Sequence, residues 1–223
     1  MKIGLLLPAY NEEENIIAVI REAKKYLPGS EIVVVDDGSK DNTYDLARKT
    51  GVIVVRHEVN KGKGEALKTG LNFFKKRNVD SVIIADTDRQ YSLQDAKFIV
   101  NGLEMGYDVV AGFRNPRQIP YANRVGNFSW RLIFNILFCS KFKDTNCGFI
   151  GMRKSVISKI DIHGGYIIEN SIYASCVRNR LRVLQVPVNV SYSKRKVGKF
   201  AKMYFGVMYF IVKEGFKYRI KGY

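Results

Sequence analysis

Apolar positions along the chain alternate between two rhythms. Ile3-Gly4-Leu5-Leu6-Leu7 is an unbroken apolar run, which predicts a central parallel strand covered on both faces. Pro8-Ala9-Tyr10-Asn11 ends it, and Asn11 with Glu14 three residues on predicts a helix N-cap with a capping-box partner. Ile16, Ile20, Ala23 and Leu27 then recur at helical spacing until Pro28-Gly29. A second strand is predicted from Glu31 to Val35, running into Asp36-Asp37-Gly38-Ser39. A short helix from Asn42 to Lys49 stops at Gly51, and Val52 to Val55 reads as a third strand. This β-α-β-α-β opening predicts an α/β fold, an open, mostly parallel sheet whose ligands sit beyond the carboxyl ends of its strands.

Asn60-Lys61-Gly62-Lys63-Gly64 follows, a basic glycine-containing loop that enters a helix marked by Ala66, Leu67, Leu71 and Phe74. It lacks the spacing of a P-loop or a dinucleotide fingerprint. It reads equally as an anion cradle or as an ordinary solvated turn. Ile83-Ile84-Ala85 then reads as a buried strand ending in Asp86-Thr87-Asp88-Arg89-Gln90. Side chains two apart on an extended strand point the same way, so Asp86 and Asp88 would converge on one cation. Oxygen ligands at an open site suit Mg²⁺ or Mn²⁺. Taken alone, the pair reads equally well as a polar strand end.

Leu93 to Leu103 predicts a helix and Asp108 to Ala111 a strand leading to Gly112-Phe113-Arg114. A long basic loop is expected from Gly112 to Asn123. Phe128 to Phe138 is apolar nearly all round, which suits core or an interface. Asp144 to Phe149 is a polar turn into a strand ending at Met152. Glu169 to Val177 reads as helix, Leu184 to Val190 as strand and Ser191 to Lys199 as a basic loop. Met203 to Val212 is an apolar stretch bracketed by Lys202 and Lys213, with Lys217, Arg219 and Lys221 beyond. It is expected to be an amphipathic helix on an anionic membrane surface or another chain, or to fold back as structure.

Composition adds an anionic partner to this picture. Thirty-seven Lys and Arg against twenty-one Asp and Glu give a formal charge of +16 over 223 residues, which points to nucleic acid, a phosphorylated substrate or an anionic membrane. The acidic residues cluster on loops after strands, where they would repel a nucleic-acid backbone, so no nucleic-acid partner is expected. Three cysteines without paired spacing suit a reducing compartment. No signal peptide is expected, and no apolar segment reaches the roughly 20 residues of a membrane span.

Together, Pro8-Ala9-Tyr10-Asn11-Glu12, Asp36-Asp37-Gly38-Ser39 with Asp41 and Thr43, Asn60-x-Gly62-Lys63-Gly64 and Asp86-x-Asp88-x-Gln90 resemble the inverting nucleotide-sugar glycosyltransferases. Gly112-Phe113-Arg114, Arg124-Val125-Gly126-Asn127, Asp144 to Phe149 and a degenerate Arg195-Lys196-Val197-Gly198-Lys199 narrow the resemblance to the polyprenyl-phosphate sugar synthases, of the dolichyl-phosphate mannose synthase type. The resemblance implies a single GT-A domain over residues 1–200, with a nucleotide-sugar half to residue 112, an acceptor half from 113 to 200 and a basic tail from 201 to 223. It implies donor-binding roles for Pro8, Tyr10, Glu12, Asp36, Asp37, Gly38, Lys63, Asp86 and Thr87. Asp86, Asp88 and Gln90 would hold Mg²⁺ or Mn²⁺. Asp88, Arg114, Arg124 and Arg195 are the implied catalytic residues, the arginines gripping an acceptor phosphate.

The implied reaction moves a sugar from GDP-mannose or a UDP-hexose to a polyprenyl or dolichyl phosphate. The enzyme would sit at the cytoplasmic membrane face, with a membrane-protein partner left open. A soluble or saccharide acceptor on the same fold is the alternative, and a basic nucleic-acid-binding module is the alternative of another class.

Overall fold

A computed structural model describes residues 1–119, 121–191 and 200–221. Its centre is a seven-stranded sheet ordered β3-β2-β1-β4-β6-β5-β7. The strands are β1 (Ile3–Ala9), β2 (Glu31–Asp36), β3 (Ile53–Arg56), β4 (Ser81–Ile84), β5 (Val109–Arg114), β6 (Ile150–Arg153) and β7 (Val183–Val188). Every pairing is parallel except those of β6, which runs antiparallel between β4 and β5. The mostly parallel α/β sheet expected from the sequence is therefore present, with one inverted strand.

Strand alternation distributes the core to both faces. Leu6, Val33 and Val35 pack on one side beneath α3 (Lys63–Lys75), α5 (Tyr121–Leu137), α6 (Ile168–Arg178) and α7 (Phe200–Lys221). Leu5, Leu7 and Val34 pack on the other beneath α1 (Ile16–Tyr26) and α4 (Ala96–Glu104), while α2 (Thr43–Lys49) lies beside α1. Fully burying one side chain of this size contributes about 1.5–3 kcal/mol, so the two apolar layers fix the register of the sheet.

The inverted β6 decides where the site lies. Ile150, at its start, pairs with Ile84 at the end of β4. The polar turn before β6 is thereby delivered to the same sheet edge as the residues following β1, β2 and β4.

Two local expectations are corrected, and the packing of the C-terminal helix is specified. Asn11 does not cap α1: it is left-handed at φ 53°, and α1 starts at Ile16. Its amide instead donates to Ser39 Oγ (2.9 Å) and its side-chain oxygen accepts from Lys40 N (2.9 Å), stitching the ends of β1 and β2 together. The long loop after residue 112 is largely structured, because β5 continues to Arg114, a 3-10 turn spans Pro116–Gln118 and α5 begins at Tyr121. Finally, α7 buries Val207, Phe210 and Ile211 in the core shared with α5, and Trp130 Nε1 on α5 donates to Tyr204 O. Its opposite face leaves Phe205, Tyr209, Phe216 and Ile220 exposed.

Candidate active site

A polar cleft of about 350 Å³ opens at the carboxyl edge of β1, β2 and β4, and Pro8, Tyr10, Glu12, Asp37, Lys63, Asp86, Thr87 and Asp88 help to line it. Most of the donor and metal residues expected from the sequence thus converge on one cavity. The strand geometry behind that expectation is different, however. β4 ends at Ile84, so Asp86 and Asp88 stand on the bend beyond it rather than on an extended strand. The bend is held by Thr87, whose buried hydroxyl donates to Pro8 O (3.0 Å), and by Gln90 N donating to Asp88 Oδ1 (3.0 Å). Arg89 is left-handed at φ 58°, a conformation that costs a non-glycine residue free energy and is concentrated at functional loops.

Lys63, the first residue of α3, reaches across the cleft floor. Its Nζ lies 2.6 Å from Asp86 Oδ1 and 3.4 Å from Glu169 Oε1 in the first turn of α6. Burial opposes the charge on Lys63, but Asp86 and Glu169 outweigh it and hold the ammonium above the usual lysine pKa. Gly148, on the turn before β6, faces the same group. A Cβ there would stand 2.9 Å from Asp86 Oδ2, 3.3 Å from Glu169 Oε1 and 3.3 Å from Lys63 Nζ. Gly148 N donates to the buried Tyr91 hydroxyl (3.2 Å), which fixes that approach.

The donor set fits a divalent cation of the kind that keeps water and takes substrate oxygens. Asp86 and Asp88 border an open polar cleft, and Mg²⁺ is commonly bound by one or two carboxylates plus phosphate oxygens. Among the described residues no three His, Cys, Asp or Glu side chains form a metal-holding group, which leaves the two-carboxylate arrangement. Gln90 does not line the cleft, and its backbone is engaged with Asp88 and Ser191.

The Asp36-Asp37-Gly38-Ser39 stretch is tied into the protein more than the sequence suggests. Asp37 accepts from Lys61 N (3.0 Å) and Gly62 N (2.7 Å) and pairs with His57 Nδ1 (2.7 Å). The carboxylate expected to meet the nucleotide thus shapes the 60–62 loop, although it still borders the cleft. Asp36 is fully buried, pairs with Arg56 Nε (3.1 Å) and does not line the cleft. Gly38 is left-handed at φ 71°, and a Cβ there would stand 2.6 Å from the Val59 carbonyl carbon. Its close approach is to the chain itself. Tyr10 is exposed at the cleft rim, while Glu12 is buried and accepts from Asn15 Nδ2 (2.8 Å).

A second cavity, of about 370 Å³, has walls from Pro116, Ile119, Val125 and Phe128 with Arg114, Arg124, Arg131, Lys143 and Asp144 among them. Arg114 does not present a free fork to it. Nε and Nη2 bond Asp144 Oδ2 (2.7 Å) and Oδ1 (3.0 Å), and both side chains are buried. Burial disfavours the guanidinium charge, yet Asp144 more than offsets this and raises its pKa. Arg124 is different: one Nη donates to Ile119 O (3.2 Å), while its buried Nε has no hydrogen-bond partner among the described residues. Arg195 lies outside the described residues. The turn carrying Asp144 at the cavity and Gly148 at the cleft spans the distance between the two sites. Asn146 on that turn bonds Asn127 of α5 and Asn170 of α6.

Sequence reasoning gave Glu169 no site role. It lies 106 residues from Lys63 along the chain, and its only local signal is an acid in a helix's first turn, which is also ordinary helix chemistry.

Residues 5–161 match the family described as glycosyl transferase family 2. The chain belongs to glycosyl transferase family 2. It is a glycosyltransferase, and its single α/β domain with a central sheet flanked by helices is GT-A-like. An uncharacterized protein of Methanocaldococcus jannaschii is 31% identical, covering 86% of this chain and 89% of that protein. The UDP-N-acetylglucosamine–dolichyl-phosphate N-acetylglucosaminyltransferase of Methanococcus voltae is 27% identical, covering 93% of each chain. A solved structure of glucosyl-3-phosphoglycerate synthase from Mycobacterium tuberculosis, with Mn²⁺, UDP and phosphoglyceric acid, superposes with a TM-score of 0.80. It is 23% identical, covering 96% of this chain and 78% of that one. These structures correct the narrower resemblance. Structures of glucosyl-3-phosphoglycerate synthase that superpose this well include complexes with phosphoglyceric acid, so the polyprenyl-phosphate synthase assignment is not retained.

Proposed function

We propose that this glycosyltransferase moves a sugar from a nucleoside-diphosphate sugar to a small water-soluble acceptor bearing a phosphate group. The donor occupies the cleft over Asp86 and Asp88, with Tyr10 at its rim. Asp86 and Asp88 hold Mg²⁺ or Mn²⁺, which when bound neutralises charge on the departing nucleoside diphosphate. The amino end of α3, with Lys63, faces the same anion. Inversion follows from a single in-line displacement.

The observation that carries the acceptor reading is the grouping of Arg124, Arg131 and Lys143 around the second cavity. Guanidinium and ammonium groups gathered at one cavity suit a phosphate, whose oxygens they match with charge-assisted hydrogen bonds. Arg131 and Lys143 border the same cavity and would complete an anion site.

The test is a panel of phosphoglycerate, hexose phosphates and a detergent-dispersed polyprenyl phosphate, each with UDP- and GDP-sugars. Turnover with a soluble phosphate, and an acceptor KM raised about tenfold or more in Arg124→Ala with donor affinity unchanged, supports the reading. Turnover confined to the polyprenyl phosphate overturns it.

A second reading concerns where the enzyme works. Phe205, Tyr209, Phe216 and Ile220 are exposed along α7, with exposed Lys213 and Lys217 beside them. This pattern favours docking on an anionic membrane surface, where each basic residue contributes about 1 kcal/mol. No described helix is long and apolar enough to cross a membrane. Vesicle sedimentation of the full chain tests this, and binding that is indifferent to anionic lipid contradicts it.

A further inference from the structure

Lys63 occupies one oxygen of a carboxylate that a divalent ion would need. Its Nζ is 2.6 Å from Asp86 Oδ1, a full charge-assisted contact, and Glu169 Oε1 at 3.4 Å anchors it from the other side. The side chain is about one-third exposed and borders the open cleft, so it is not locked in place. A lysine stem carries a compact charge that can be re-aimed through four methylenes.

Gly148 keeps the space over the group free. Any side chain there would press on the Asp86, Glu169 and Lys63 head groups at once. The cleft beside Lys63 is also the mouth of the amino end of α3, which favours an anion.

We infer that Lys63 is an internal cation that blocks divalent-metal binding at Asp86 until a nucleoside diphosphate draws its ammonium away. The proposal rests on the donor and metal reading of the cleft and adds an order of binding to it. Without nucleotide, a divalent ion must compete with an ammonium already seated on Asp86. With nucleotide, the diphosphate offers Lys63 an alternative anion, and Asp86 becomes available together with phosphate oxygens. Metal and donor therefore bind with strong positive coupling, and by linkage each raises the affinity for the other by the same factor. Lys63 acts as a positioning residue, and Glu169 holds it in the resting arrangement.

The test is Mn²⁺ binding to the full chain, followed by electron paramagnetic resonance of free Mn²⁺, with and without UDP or GDP. The wild type is expected to bind Mn²⁺ weakly alone and at least tenfold more tightly with the diphosphate. Lys63→Gln is expected to bind Mn²⁺ alone roughly tenfold or more tightly than wild type, with most of the nucleotide coupling gone. Lys63→Arg keeps the charge and is expected to remain weak without nucleotide. Equal nucleotide-free affinity in wild type and Lys63→Gln overturns the blocking role while leaving the metal site standing. No Mn²⁺ binding in the wild type even with nucleotide overturns the metal site as well.

A variant-free measurement guards against misfolding of Lys63→Gln. In the wild type labelled with ¹⁵N at lysine Nζ, the Lys63 ammonium resonance is expected to be unmoved by Mg²⁺ alone and shifted by Mg²⁺ with UDP or GDP. A shift with Mg²⁺ alone contradicts the proposal.

Discussion

Removing the charge of Asp144 separates a structural Arg114 from an acceptor-gripping one. Asp144→Asn keeps the shape of the side chain but leaves Arg114 as a buried cation facing a neutral amide. In the native protein Asp144 accepts from Arg114 Nε and Nη2, from Arg114 N (3.2 Å) and from Asn146 N (2.9 Å). The Arg114 and Asp144 side chains are each 7% exposed, so solvent screens little of the loss. Breaking a buried pair by removing one partner costs about 3–5 kcal/mol. For a chain of this size each kcal/mol lowers Tm by about 2–4 °C, so the expected fall is roughly 6–20 °C.

Thermal scanning and urea unfolding read the stability, and calorimetry with UDP or GDP reads the donor site. The double variant Arg114→Met with Asp144→Leu is expected to recover much of the loss, since an apolar pair of similar volume removes the stranded charge. The reasoning is refuted if Asp144→Asn keeps its Tm within about 2 °C of wild type while acceptor KM changes, because Arg114 would then serve ligand rather than fold.

Two further predictions concern buried and paired groups. Burial pushes the Cys147 and Cys176 thiols up to about 12, while Cys139 is exposed. Near pH 8 one thiol is therefore expected to react with a thiol reagent in the native protein and three in denaturant, and rapid native labelling of all three contradicts the packing. Although burial acts against it, Glu214 has a lowered pKa because Lys217 and Arg178 hold its carboxylate. Its contribution is present above the ordinary glutamate pKa and is lost as pH falls through the folded value. Glu214→Gln should lower stability at pH 7 and flatten its fall between about pH 5 and pH 3, and an unchanged acid limb counts against the α6–α7 tie.

Much of the architecture was legible because each early strand is a continuous apolar run followed by a helix-periodic segment. Leu5, Leu6 and Leu7 are all buried, so one strand feeds both core layers. The direction of β6 was not legible: Ile150 to Met152 is as apolar as a parallel strand, and only pairing with β4 and β5 reveals its inversion. At the site, residues that follow strands were found, since the sheet edge collects them. What those residues do with their oxygens was hidden. Asp37 meets loop amides and His57, and Arg114 meets Asp144, through contacts spanning 20 to 30 residues. Glu169 was missed because its partner is Lys63, on another helix.

The most direct test of the account is nucleoside-diphosphate release from UDP- and GDP-sugars, measured against sugar transferred to a soluble phosphate acceptor. It compares wild type with Asp88→Asn, in Mn²⁺ or Mg²⁺ and in excess chelator. The account predicts equal release and transfer by the wild type, abolished by chelator and restored by either metal. It also predicts loss of transfer in Asp88→Asn with Tm nearly unchanged, since Asp88 stands on a partly exposed bend. Full wild-type turnover in excess chelator, or undiminished turnover by Asp88→Asn, would contradict it.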